Sequence, residues 1–296
     1  MNHSTGMYVG LKIDRKENAI FVSCKAHIET CYSRFDGQLI KPRSIPAVEM
    51  PQPWEGDSDC RTSYMELIGC LIYIANACRP DVSMITSALA AHLGNPSPDH
   101  MSIAKGVLSY LYQTRNKGLH YKKKGVPGST DKNILKNMKL SAYFDSDFIT
   151  CKTRKSRSGI LVYYNDCLVC WVSKKQTLRA MSVFEAETNA GCKCCIILLY
   201  MRKIQADFTM SNVLPIMIKM FGDNEKSIEC AQNNSYGKRS KHFELRLFKM
   251  AECAEAGIVD LHHVRSTKNP ADLLTKVAKA NVFHNLISKL VIEYDA

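Results

Sequence analysis

The sequence predicts a mixed α/β protein: a five-stranded mixed sheet flanked by helices in the C-terminal half, preceded by a smaller, mostly helical region that opens with a β-hairpin. Three observations carry this. Beyond residue 139, three strand-like runs are followed by alternating helical and strand-like segments; between residues 64 and 113 apolar residues recur at helical spacing; and two stretches rich in Pro, Gly and charge interrupt the pattern.

Taken in order, two short apolar runs, from Met7 to Ile13 and from Ala19 to Val22, flank the charged Asp14, Arg15 and Lys16 and read as a hairpin. From Gln38 to Asp59, Pro42, Pro46, Pro51 and Pro53 break any regular element. Helical periodicity then runs from Tyr64 to Ala77, Pro80 to Leu93 and Pro98 to Gln113, with Pro80 and Pro98 in first turns, where a missing N–H costs nothing. The Lys-Gly-Pro-Ser mixture from Lys122 to Asn133 marks a domain boundary. Strands are expected from Leu140 to Phe148, Ser158 to Tyr164 and Cys167 to Val172, the last two joined by Asn165-Asp166 as a tight turn. A helix from Ser182 to Ile204 carries Ser182 and Glu185 at capping-box spacing. An apolar run from Leu214 to Phe221, a polar helix start at Asp223, a helix from Lys241 to Ala256, a strand from Ile258 to Val264 and a short helix near Asn269 complete the pattern. The expected divisions are 1–60, 61–121, a linker over 122–138, and 139–296.

A net charge of +12 favours a polyanionic partner, because each neutralised phosphate releases a counterion. No apolar run of roughly 18 residues and no secretory leader is visible, so the reading is soluble and intracellular, with no membrane partner. Thirteen cysteines without a leader predict reduced thiols rather than a disulfide framework. Cys167 and Cys170, three apart on a strand, should face opposite sides, as should the adjacent His262 and His263. Cys192, Cys194 and Cys195 lie in a helical pattern with no second ligand pair and read as buried thiols.

Four acids sit at the ends of predicted elements, where a sheet would gather them: Asp145, Glu187, Asp223 and Asp272. Converging carboxylates are stable mainly when a hard cation neutralises them, and a pair of such cations activates water on a phosphodiester. On spacing alone, isolated Asp and Glu residues at such positions are usually solvated surface charges or helix caps. Asp147 shares a strand face with Asp145, whereas Glu185 lies two helical positions from Glu187 and should face away as a cap. Lys174, Lys175, Arg179, Lys238, Arg239, Lys241 and His242 fall near the same loops, as a solvated basic face or as a backbone-contacting one.

Motifs sharpen this. Tyr143-Phe144-Asp145-Ser146-Asp147, Ser156-Arg157-Ser158-Gly159, Trp171 to Gln176, Met181-Ser182 with Glu185-Ala186-Glu187, Gly222-Asp223-Asn224, Arg239-Ser240-Lys241-His242 and Ala271 to Lys276 occur in an order that resembles the ribonuclease H segment of copia-type retrotransposon Pol polyproteins. Upstream, Gly10 to Ile13, Tyr64, Gly69, Tyr73, Arg79-Pro80-Asp81, Asn95-Pro96, His100, Tyr110-Leu111 and Thr114 extend the resemblance over nearly the whole chain.

The resemblance implies a ribonuclease H-like domain over 139–296, thumb- or connection-like helices over 61–121, and the end of a polymerase palm over 1–60. It places metal-binding catalytic acids at Asp145, Glu187, Asp223 and Asp272, with Mg²⁺ or Mn²⁺ as cofactor. It also implies nucleic-acid contacts at Lys174, Lys175, Arg179, Arg239, Lys241 and His242. The partners it implies are an RNA/DNA hybrid, recognised by its 2′-hydroxyls and groove shape, and the rest of a Pol polyprotein or a reverse transcriptase subunit. The implied activity is cleavage of the hybrid's RNA strand. The alternative is an inactive element-derived fragment that only binds nucleic acid or retains no activity. Departures lie at Phe148-Ile149-Thr150, Val183, Phe184 and Gly222, around the acids rather than on them. No Asp-Asp dipeptide occurs, so polymerase metal ligands are absent from this chain, which reads as starting just past that hairpin.

Overall fold

A computed structural model describes residues 4–122, 139–148, 154–209, 217–233 and 244–294. Its secondary structure runs β1 (Ser4–Tyr8), β2 (Leu11–Lys16), β3 (Ala19–Ser23), α1 (Lys25–Arg34), α2 (Arg61–Ala77), α3 (Ser83–Ala90), α4 (Pro98–Gln113) and β4 (Lys117–Lys122). Then come β5 (Leu140–Asp147), β6 (Arg157–Tyr164), β7 (Cys167–Lys175), α5 (Val183–Thr209), β8 (Ile218–Gly222), α6 (Glu225–Gln232), α7 (Glu244–Glu255), β9 (Val259–His263), a 3₁₀ turn (Pro270–Leu274), α8 (Ala280–Leu286) and β10 (Ile292–Glu293). Two compact units divide the chain: Met1–Lys123 together with Lys276–Ala296, and Lys124–Thr275. Among the described residues no helix is long and apolar enough to cross a membrane.

The first unit pairs β1-β2-β3-β4-β10 in one antiparallel sheet beside helices whose buried faces carry Leu67, Ile68, Leu71, Ile74, Val107 and Leu108. Three of its features differ from the expectation. The apolar run from Met7 to Ile13 is broken at Val9 and Gly10, whose positive φ values of 48° and 78° make a tight turn, and the charged Asp14 to Lys16 lie within β2. Helix α1 was unforeseen, because only Ile28 and Cys31 are buried along it. Residues 276–296, read as part of the C-terminal domain, belong with the first unit: Phe283 sits edge-on to Tyr110 at 5.7 Å, Tyr294 stacks on Phe21 at 4.3 Å, and β10 pairs with β4.

The second unit has the strand order β7-β6-β5-β8-β9, antiparallel through β7, β6 and β5 and parallel from β5 to β8 to β9. Three consecutive strands followed by two parallel ones reached through helices is the ribonuclease H-like mixed sheet. Its core joins Phe144, Ile160 and Val162 on the sheet to Ala190, Cys194, Cys195 and Leu198 of α5 and Leu247 and Met250 of α7. Cys194 and Cys195 are thus core thiols, as their apolar surroundings predict. A register shift between Val162 and Tyr163 sets Cys170 opposite Val162 and Cys167 opposite Tyr164, so the two cysteines share a sheet face instead of opposing. The phenyl ring of Phe144 fills the space beside Gly222: a Cβ there would approach its Cζ to 2.3 Å.

Candidate functional site

Parallel pairing is what brings the first two acids level. Tyr143 of β5 is registered with Phe221 of β8; Asp145 lies two residues further along β5 and Asp223 just past the end of β8, so both acids stand at the C-terminal edge of these parallel strands. Asp272 arrives from the 3₁₀ turn. Asn269 caps that turn by accepting the Ala271 N–H at 3.1 Å, and its Nδ2 donates to the Phe144 carbonyl at 2.9 Å, which anchors the turn beside β5. Two further bonds hold it down: Ser173 Oγ donates to the Leu274 carbonyl at 2.6 Å, and the Thr275 hydroxyl donates to the Asp145 carboxylate. Gly159, registered with Asp145, leaves the room this needs, since a Cβ there would come within 2.7 Å of the Ala271 carbonyl oxygen and 2.8 Å of Thr275 Cγ2.

Asp145, Asp223 and Asp272 each present an oxygen such that the three lie within 4.8 Å of one another. Asp145 and Asp272 are 1% and 4% exposed, so water screens them little. Glu187 enters from the start of α5. Its Oε1 accepts from the Ser146 N–H at 3.2 Å and the Ser146 hydroxyl at 3.0 Å, while its buried Oε2 has no hydrogen-bond partner. Burial, and then the charges of Asp145 and Asp223, push the Glu187 carboxyl well above the usual carboxylate range. Three of the four predicted acids therefore converge, while Glu187 is outside that group of three but near enough for the charges of Asp145 and Asp223 to act on it.

The two neighbouring acids have other occupations. Asp147 accepts the Arg157 N–H across the β5–β6 pair. Glu185 caps α5: its N–H donates to Ser182 Oγ at 3.1 Å and its Oε2 accepts from the Met181 N–H at 2.7 Å. Gln176 ties the end of β7 to α5, donating to Ser158 Oγ at 3.0 Å and the Ala186 carbonyl at 2.9 Å and accepting from Asn189 Nδ2 at 3.0 Å.

Of the basic residues singled out in the sequence, Lys174 and Lys175 end β7 and Arg179 follows it, Lys174 and Arg179 being exposed. Lys238, Arg239, Lys241 and His242 lie outside the described residues. Lys193 of α5 was not singled out in the sequence: burial, and then the Lys174 charge, hold its ammonium below the usual lysine range. Ser146, Gly159 and Thr275 were visible in the sequence as motif letters, but their roles depend on partners 41 residues away for Ser146 and 130 for Thr275.

An oxygen-only, largely buried donor set with an orphaned carboxylate oxygen fits a hard divalent cation. Removing even one carboxylate from water costs several kcal/mol unless something opposite in charge meets it, by the usual order of magnitude.

No family model matches the chain. It is similar to the retrovirus-related Pol polyprotein from transposon TNT 1-94 of Nicotiana tabacum, at 26% identity over 93% of this chain and 20% of that protein. It is similar also to that from transposon RE1 of Arabidopsis thaliana, at 25% identity over 96% of this chain and 19% of that protein. The chain thus spans about a fifth of the length of these relatives. A shorter stretch, 43% of this chain, is 32% identical to 82% of the secreted RxLR effector protein 161 of Plasmopara viticola. Among solved structures, ribonuclease H1 from Halobacterium salinarum matches with a TM-score of 0.33 and 16% identity, over 46% of this chain and 94% of that one. Over nearly its whole length, and in the order of its motifs, the chain thus resembles copia-type retrovirus-related Pol polyproteins.

Proposed function

We propose that the chain is a metal-dependent endoribonuclease that cleaves the RNA strand of RNA/DNA hybrids as part of a retrotransposon Pol polyprotein. The observation that carries this reading is the convergence of Asp145, Asp223 and Asp272, supported by Glu187, which feels the charges of Asp145 and Asp223 and whose Oε2 is buried without a hydrogen-bond partner. In this reading Asp145, Glu187, Asp223 and Asp272 hold Mg²⁺ or Mn²⁺. Bound there, the cation would lower the pKa of a water nucleophile and neutralise charge on the scissile phosphate. The chain's own residues do the rest. Thr275 and Ser146 fix the carboxylates of Asp145 and Glu187 through hydroxyl donors, so that their oxygens face the cluster before substrate arrives. Lys174, Lys175 and Arg179, with Arg239, Lys241 and His242, would contact the hybrid's phosphates and sugars without reading base sequence. The sequence holds no Asp-Asp pair, so DNA synthesis is not among the activities assigned.

The test is incubation of the purified chain with a labelled RNA/DNA hybrid, with Mg²⁺ and with excess chelator, beside Asp145→Asn. Cleavage confined to the RNA strand, dependent on Mg²⁺ and lost in the variant is expected. Cleavage that persists in the variant or in chelator would overturn the assignment, and salt-sensitive binding without any cleavage would point to an inactive binding fragment.

A further inference from the structure

The first unit contains a second group of ligand-type side chains, of opposite chemical character. Along the seam between α1 and α2, His27 lies against Tyr73 with ring centroids 4.9 Å apart, and Arg34 pairs with Glu66 at 2.6 Å. Between these two contacts Cys31 meets Cys70. The spacing explains the alignment: 27 and 31 are one turn apart on α1, as are 66, 70 and 73 on α2, so each helix offers one stripe to the other. His27 Nε2 and Cys31 Sγ are 3.7 Å apart, and one donor atom from each of His27, Cys31 and Cys70 lies within 4.8 Å of the others. With metal–sulfur bonds near 2.3 Å and metal–nitrogen bonds near 2.0 Å, ligands of a tetrahedral ion sit about 3.5–3.8 Å from one another, so the group needs little movement to close on one.

We infer that His27, Cys31 and Cys70 form a site for a soft or borderline divalent cation, zinc by ligand type, with a fourth position left to water or an exogenous donor. Thiolate and imidazole favour zinc strongly over Mg²⁺, whereas carboxylate oxygens also suit Mg²⁺. Cys31 is 3% exposed while His27 and Cys70 are half-buried, which gives the ion a route in and the sulfur a dry environment. The arrangement resembles a structural staple. It would link a helix with only two buried residues, α1, to the apolar α2, and metal bound only by the folded state stabilises that state.

The probe is Co²⁺ titrated into the reduced full chain. A thiolate-to-cobalt charge-transfer band with tetrahedral visible absorption, saturating at one ion and displaced by Zn²⁺, is expected. Oxygen ligands give no such band, so cobalt in the carboxylate cluster cannot imitate it. Cys70→Ser and His27→Gln should each weaken binding by at least about 100-fold, since even outer-shell changes cost about 10–100-fold. Cys24→Ser/Cys78→Ser, which removes the neighbouring thiol pair, should leave the band in place. Far-UV circular dichroism checks that each variant is folded, and half-buried Cys70 carries the test if a substitution at buried Cys31 does not fold. A wild-type chain without the band, or a band that survives Cys70→Ser, overturns the site.

Discussion

Both units bury charge, and they do so in opposite ways. In the first, Arg79, fully buried, donates from Nε and Nη2 to Asp81 at 2.9 and 2.7 Å and from Nη1 and Nη2 to the Thr114 carbonyl and hydroxyl at 3.0 and 2.7 Å; the Tyr110 hydroxyl completes Asp81 at 2.7 Å. Each charge has its opposite, and four of the five guanidinium N–H donors are engaged. In the second, Asp145, Asp223 and Asp272 each place a carboxylate oxygen within 4.8 Å of the others, and the charges of Asp145 and Asp223 add to burial in raising the Glu187 carboxyl. A balanced buried pair is complete as folded, whereas gathered like charges store a demand for a cation. The family resemblance runs through both sets, so motif residues alone do not separate scaffold from chemistry; the gathering of like charges does.

The largest expected effect breaks the balanced side. Asp81→Ala leaves a fully buried guanidinium without its counter-charge and should cost roughly 3–5 kcal/mol of stability by denaturant unfolding. Asp145→Asn, made in chelator, should by contrast cost little or raise stability, because it relieves repulsion. Next is Gly159→Ala, whose Cβ would press on the turn that carries Asp272; overpacking of about 1–3 kcal/mol is expected, together with loss of hybrid cleavage.

A pH comparison is subtler. The raised carboxyl of Glu187 keeps its proton in the folded state where the unfolded chain, with its ordinary value of 4.5, has lost it. Folding then takes up a proton, so the metal-free protein loses stability as pH rises from 4.5 through the folded value. In chelator, the melting temperature of Glu187→Gln should gain on wild type as pH rises above the unfolded value of 4.5; parallel curves would show that Glu187 is not penalised. Smallest is Lys174→Ala, which should lower the log–log salt slope of hybrid binding by about one if this side chain meets a phosphate.

What the sequence made legible was periodic or local. The strands from Leu140 to Tyr164 and helix α4 could be placed because their apolar spacing continues over several residues, and the Ser182–Glu185 cap is a three-residue pattern. The acids could be nominated from motif order. The support around them could not: Thr275 reaches Asp145 across 130 residues, and Gly159 matters only because a distant turn lies on it. Helix α1 escaped because its exposed face outweighs two buried residues, and β10 because two exposed residues carry no pattern. The turn at Val9 was hidden inside an apolar run, since Val is a poor marker of positive φ.

Calorimetric titration of Mg²⁺ into wild type and into an Asp145→Asn/Glu187→Gln double variant tests the central contrast most directly. Binding by the wild type, with a matching rise in melting temperature, and loss of both in the double variant is the predicted result. Equal Mg²⁺ binding by the two proteins, or none by the wild type, would contradict the reading of the carboxylates as a cation site.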